Sequence, residues 1–211
     1  IHGRSRVEWV RQGSNYQVHV DTSLGILASL NMISAGVITP DGLAPDRFEQ
    51  VNRLFIKTSP PRTVVFEDDE VVLDNGDRLP RTPGMQDGAS LFIQLTYLFT
   101  MKPEMLRPGK TVSLNLALLK RVEKIAFDVM SEQILSTPLG DIPTYHVKPR
   151  KMSAEGGVLP MEIWFAPSLQ YLPIRVLVRM DDKNHMDWQM DRAPEQTPLD
   201  PESARPPLAA R

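Results

Sequence analysis

One stretch of this 211-residue chain reads convincingly as a helix, and its isolation among alternating segments constrains the fold more than any other feature. From Asp87 to Met101 the sequence runs DGASLFIQLTYLFTM. At about 100° per residue, Leu91, Phe92, Leu95, Leu98 and Phe99 gather on one side, while Ser90, Gln94, Thr96 and Thr100 fall on the other. Asp87 is suited to cap the N-terminus, and Pro103 with the Pro108-Gly109 pair closes the far end. A single apolar stripe of this kind needs a partner surface.

The rest of the chain supplies strands. Val7 and Trp9 alternate with polar residues, Gly13-Ser14-Asn15 turns, and Tyr16, Val18 and Val20 alternate again, the pattern of a hairpin with one buried face. Leu24 to Ile38 is a longer apolar segment ended by Pro40-Asp41-Gly42, a turn in which Pro presets φ and Gly accepts a positive one. Arg47 to Lys57 returns, and Thr63–Phe66 and Val71–Leu73 form a hairpin around Glu67-Asp68-Asp69-Glu70. Beyond the helix, Thr111–Leu118, Glu123–Leu135, Ile142–Lys148, Val158–Phe165, Tyr171–Met180 and His185–Met190 read as further strands. Short connections between them favour antiparallel pairing, because parallel neighbours need crossovers of a dozen or more residues.

These signals predict a mainly β fold: a large curved antiparallel meander sheet, in the manner of a half-open barrel, with the helix packed on its concave face. Residues 1–192 are expected to make one β-rich domain whose first strand is truncated or missing, and 193–211 a Pro-rich flexible tail. The start at Ile1, without Met and almost directly in an alternating segment, predicts that a signal, an anchor or a first strand preceded it.

Composition removes several function classes. A net charge of −2 gives no electrostatic reason to expect nucleic acid, and Lys148-Pro149-Arg150-Lys151 is a short basic run of the kind that a solvated loop carries. The absence of cysteine rules out disulfides and thiolate chemistry. No apolar run reaches the roughly 18 to 20 residues that a bilayer span needs. His2, His19, His146 and His185 show no ligand spacing, so no metal or other cofactor is expected. The acidic runs Asp68-Asp69-Glu70 and Asp181-Asp182 fall in turns, where Asp is favoured for backbone reasons. No phosphate loop, nucleophile elbow or zinc helix occurs, and an enzyme is not expected.

The segment Ile163 to Arg175, IWFAPSLQYLPIR, resembles the W-x-A-P, Y-L-P-[IV]-R hairpin of exported proteobacterial proteins grouped as the domain of unknown function 3108 family. Ser34-Ala35-Gly36 with Gly42-Leu43-Ala44-Pro45-Asp46-Arg47-Phe48, Gln86-Asp87 with Ser90 and Gln94, and Thr137-Pro138-Leu139-Gly140 fit the same family. The likeness covers roughly Arg4 to Trp188. It implies export to the periplasm of a Gram-negative cell and a β-rich domain, broadly similar in layout to envelope lipoprotein carriers with a half-open barrel closed by helices. It implies no catalytic residue.

Two functions follow. The first is a non-enzymatic periplasmic binding or carrier protein, with a lipid or other amphipathic ligand held by Leu91, Phe92, Leu95, Leu98, Phe99, Trp164 and Tyr171; the 10 methionines suit adaptable apolar surfaces. The second is an envelope interaction or assembly module whose core is filled by its own side chains and whose tail tethers a protein partner. Ser90 and Gln94 either orient a ligand head group or satisfy nearby backbone, and Trp164, Pro167, Tyr171 and Pro173 either recognise a partner or fix a hairpin.

Overall fold

A computed structural model describes residues 3–150, 161–179 and 185–196. His2, Lys151, the strand start at Val158, Met180, the turn Asp181–Asn184 and the tail beyond Gln196 lie outside the described residues. The chain is mainly antiparallel β with one α-helix, as the alternation requires, but its strands fall into two sheets rather than one.

The first sheet has eight strands: β1 (Arg4–Gln12), β2 (Asn15–Ser23), β3 (Ala28–Thr39), β4 (Gly42–Leu54), β5 (Lys57–Thr58), β6 (Arg62–Phe66), β7 (Glu70–Val72) and β8 (Arg78–Pro80). They pair in the order β1-β2-β3-β4-β6-β7-β8, with β5 on β4. The second sheet follows sequence order, with β9 (Thr111–Ala117), β10 (Val122–Thr137), β11 (Gly140–Pro149), β12 (Met161–Ala166), β13 (Leu172–Arg179) and β14 (His185–Gln189). The break has a local cause. Residues 81–110, holding helix α1 (Ser90–Met101) and the 3-10 turn Pro103–Met105, separate β8 from β9, so these two strands have no hairpin to join them.

Two differences from the alternation are informative. The expected strand Arg47–Lys57 is interrupted by a two-residue turn at Phe55-Ile56, with Leu54 paired to Lys57. A short strand also forms at β8, where Arg78-Leu79-Pro80 is too brief to show a period. The meander itself is carried by side-chain alternation: Tyr16 and Val18 on β2, Val64 and Phe66 on β6, and Val71 on β7 are buried.

The described chain divides into two compact units. One is built from 3–91 and 115–122, with Gln196, and the other from 92–114 and the described part of 123–195. The chain thus passes from one unit to the other within the first turn of α1, within β9, and at the start of β10.

Helix α1 is buried more completely than a one-sided stripe requires. Leu91, Leu95 and Phe99 are fully buried, but Ser90, Ile93 and Gln94 are buried too, while Phe92 and Leu98 are only half-buried. Its polar residues are therefore interior groups that need partners.

Candidate functional site

Residues from the sequence motifs converge at two places, one in each unit. In the first, Asp87 caps α1. Its carbonyl accepts the Leu91 N–H at 3.2 Å, and its Oδ1 accepts the N–H groups of Ala89 at 2.9 Å and Ser90 at 2.8 Å. Ser90 Oγ returns the favour by accepting the Asp87 N–H at 2.9 Å, a reciprocal cap with serine in place of the usual glutamate. The second carboxylate oxygen, Oδ2, accepts the Ser34 hydroxyl at 2.6 Å. With its proton committed there, Ser34 Oγ accepts from Tyr16 Oη at 3.1 Å.

The backbone brings these groups together. Tyr16 on β2 lies opposite Gly36 on β3, and Val18 lies opposite Ser34. The β3–β4 register shifts between Ala35 and Gly36, and a Cβ on Gly36 would sit 2.2 Å from the Ala44 carbonyl oxygen. Only glycine allows that approach of β4 at the bulge. Gln86, just before the cap, donates Nε2 to Leu43 O at 2.8 Å and exchanges backbone bonds with Asn115 and Ala117, both at 2.8 Å. The separate stretches SAG, GLAP and QD..S are thus one structural device, made of a bulge, the strand that crosses it and a capped helix start.

Burial governs its electrostatics. Asp87 is completely enclosed, and the loss of water pushes its carboxyl up to about 6, against hydrogen bonds from Ser34, Ser90 and Ala89 that favour the charged form. Tyr16 is pushed well above its ordinary value, first by burial and then by the charge of Asp87. A hydroxyl donating to a carboxylate has the outline of an activated nucleophile. Ser34 is nonetheless fully buried, and no histidine accepts its proton. The relay therefore holds the helix cap to β2 and β3.

The second place lies on the six-stranded sheet, where His146 (β11), Trp164 (β12) and Arg175 (β13) stand in one cross-strand row. The imidazole stacks on the indole at 4.3 Å with 4° between planes, and the Arg175 guanidinium carbon lies 4.7 Å from the ring centre. Each side chain is also held from outside the row. Trp164 Nε1 donates to Gln133 Oε1 at 2.9 Å, and Arg175 makes two bonds to Asp187 at 2.9 and 2.7 Å. His146 Nε2 meets Glu162 Oε2 at 2.8 Å, and Lys148 and Arg179 approach the same carboxylate at 3.2 and 3.4 Å. Desolvation lowers the His146 pKa despite Glu162. Burial alone would raise Glu162, but the Lys148 and His146 donors outweigh it and keep it ionised.

None of the seven candidate ligand residues lines either of the two clefts described below. Phe99 meets Phe165 edge-on at 5.0 Å within the six-stranded unit, and Leu91 and Leu95 are fully buried. Trp164 is enclosed by His146 and Arg175. Tyr171 follows the 3-10 turn Pro167–Leu169 with φ of 57°, after Gln170 at 56°. Its N–H bonds Ala166 O at 3.0 Å and its carbonyl accepts Thr96 Oγ1 at 3.1 Å, so the W-x-A-P, Y-L-P-x-R motif is the turn between β12 and β13. Two clefts open elsewhere. One of about 270 Å³ is lined by Phe48, Arg62, Leu118, Leu119, Lys120 and Arg121 among others, and one of about 280 Å³ by Glu132, Pro143, Tyr145, Pro167 and Ser168. No cluster of three metal-ligating side chains occurs among the described residues. Among the same residues, no helix is long and apolar enough to cross a membrane.

Sequence reasoning passed over Ser34's bond to Asp87 and the His146–Trp164 stack. Their signal was present: Ser34, Asp87 and Trp164 each sit in a motif, but only pairing register shows which residues meet.

Fold and motif geometry together define a mainly β, antiparallel protein organised around a buried helix cap and an aromatic strand row. The model of one family, described as a protein of unknown function (DUF3108), matches residues 1–186, and the chain belongs to that family. No curated protein matches it. No solved structure matches it either.

Proposed function

We propose that the protein is a non-enzymatic interaction or assembly module of the Gram-negative periplasm, with an interior filled by its own side chains. One observation carries this reading: Leu91, Leu95 and Phe99 are buried against protein, with Phe165 on the Phe99 ring, and neither cleft is lined by any of the three. Both clefts are open and fall below the roughly 300 to 1,000 Å³ usual for small-molecule sites. The buried polar groups Tyr16, Ser34, Asp87 and Ser90 are hydrogen-bonded to one another and to backbone, which suits a rigid scaffold. Export is supported by the motif resemblance alone.

A carrier with a half-open-barrel layout is the second reading, favoured by the cleft in the eight-stranded unit. Phe48, Leu118 and Leu119 offer apolar wall and Arg62, Lys120 and Arg121 a basic rim, a lining for a small anionic amphiphile. Purification from the native envelope, gel filtration without detergent and mass spectrometry separate the two. The filled-core reading expects no stoichiometric lipid and no binding of a fluorescent fatty acid. One lipid retained per chain, lost in Leu118→Arg, would overturn it in favour of the carrier.

A further inference from the structure

The end of the eight-stranded sheet where β1 starts and β2 turns into β3 carries an apolar surface that the filled-core reading does not use. The β2–β3 turn holds Ile26 and Leu27, 84% and 38% exposed. The neighbouring β4–β5 turn holds Leu54, Phe55 and Ile56, with Leu54 62% and Phe55 57% exposed and Ile56 fully so. The two turns touch: Phe55 N–H donates to Leu27 O at 2.7 Å, and Ala28 pairs with Leu54. Five large apolar side chains therefore form one projecting tip.

Turn chemistry does not account for them. A two-residue hairpin turn selects Gly, Asn or Asp, because at least one centre must take positive φ. Here that centre is Phe55 at 53°, a conformation that costs a bulky L-residue, and the next residue is Ile56. Residues that oppose the local backbone preference and also leave apolar area in water are expected where function requires them.

The charges around the tip name the partner. Arg53 and Lys57 flank the β4–β5 turn, and Arg4 lies opposite Ser23 at the same end of the sheet. No acidic residue occurs from Thr22 to Asn31 or from Val51 to Arg62. Arg53 donates Nε to Ser29 Oγ at 3.3 Å, and Lys57 is exposed. An apolar apex ringed by cations whose stems can run along the acyl chains while the heads stay at the phosphates is the chemistry of an interfacial anchor. We propose that the tip Leu24–Leu27 with Leu54–Ile56 docks this protein on an anionic lipid bilayer, inserting Ile26, Phe55 and Ile56 among the acyl chains and placing Arg4, Arg53 and Lys57 at the headgroup phosphates. The tip residues line neither cleft, so the docking surface stands whether the core is filled or holds a ligand.

The chain has no cysteine, so Ile56→Cys gives a single attachment point for an environment-sensitive fluorophore. The full chain is mixed with vesicles of phosphatidylcholine alone or with 30% phosphatidylglycerol, a composition chosen for the test. Docking predicts a blue shift and quenching by bromolipid on the anionic vesicles, absent for Ile134→Cys on the other sheet. Sedimented protein should exceed that on neutral vesicles by about tenfold and fall with salt. Phe55→Asn with Ile56→Gly suits the turn and keeps the fold, and it should abolish sedimentation. Arg53→Gln with Lys57→Gln should remove the preference for anionic lipid. The proposal is overturned if neither vesicle binds, if binding ignores the turn substitution, or if neutral and anionic vesicles bind alike. It is also overturned if the only effect of Phe55→Asn/Ile56→Gly is to dissolve a dimer, which would assign the tip to a second copy of the chain.

Discussion

Asp87 shows how one side chain ties a helix start to a sheet. Its carboxyl has an ordinary value of 3.8 and rises to about 6 in the fold. Between those values the native state binds the extra proton, so stability falls as pH rises, by on the order of 3 kcal/mol in all, and the cost is fully present above pH 6. Asp87→Asn keeps an acceptor for Ala89 and Ser90 and a group to face Ser34. It should flatten the pH dependence of the urea midpoint between pH 4 and 6, with a change of about 1 kcal/mol or less at neutral pH. Gly36 offers a second test. Alanine there meets backbone rather than a movable side chain, so Gly36→Ala should cost about 3 kcal/mol or more in urea denaturation, and Ala44→Gly should not rescue it. Of these features the sequence shows the cap, because Asp-x-x-Ser before an apolar run has a local meaning. It does not show that Ser34 is the partner, since 53 positions separate the two residues and only the β2–β3 register and the bulge bring them together.

At the scale of elements, Leu91, Leu95 and Phe99 of α1 and Trp164 of the strand row are buried side chains. Truncating a side chain that protein surrounds costs transfer and cavity terms together, so Leu95→Ala should destabilise by about 2 to 5 kcal/mol and Phe99→Ala by about 3 to 5. Phe92→Ala, half-buried on the same helix, should cost less, and thermal denaturation of the three variants checks the order. The row on the six-stranded sheet responds to pH in the opposite sense to Asp87. His146 is held below its ordinary value chiefly by burial, and Glu162 below its own by the donors that face it. Both contributions are present at neutral pH and are lost on acidification, His146 from 6.5 downward and Glu162 as pH falls from 4.5. Amide exchange at pH 7 and pH 5 should therefore show β11–β13 losing protection while β2 and β3 near Asp87 gain it. Most strands were legible from period-2 alternation, which records one buried face directly. The Phe55-Ile56 turn was not, because two apolar residues continue the pattern of a strand. The helix was placed within its bounds, yet its stripe suggested one buried side; Ser90 and Gln94 look like surface residues until their enclosure is seen.

For the whole molecule, the path of the chain matters more than the count of strands. The eight-stranded unit takes Asn115–Val122 back from beyond the helix. That return segment accepts the Gln86 N–H on Asn115 O, donates Ala117 N–H to Gln86 O, gives Leu119 O to Asp74 N–H, and bonds Thr82 through the Asn115 amide at 2.7 Å. A fragment ending at Leu91 leaves those groups without partners and opens Leu116 and Ala117's site to water. It should lack a cooperative thermal transition, whereas the full chain shows one; a sharp transition in fragment 1–91 would refute this. Alternation predicted a meander in a single domain over 1–192 and carried no sign of a segment that returns from beyond the helix, since hairpins are local. An isolated parallel bridge between Leu116 and Gln86 has no local signature. The same return sets a clock on the ribosome. The first unit lacks its return segment from Leu91 until Val122 has been made, and at roughly 5 to 20 residues per second the growing chain holds Asp74 and Gln86 without those partners for about 2 to 6 s. During that interval the backbone N–H and C=O of Gln86 lack the partners they have in the fold, which is the moment when a chaperone has something to hold.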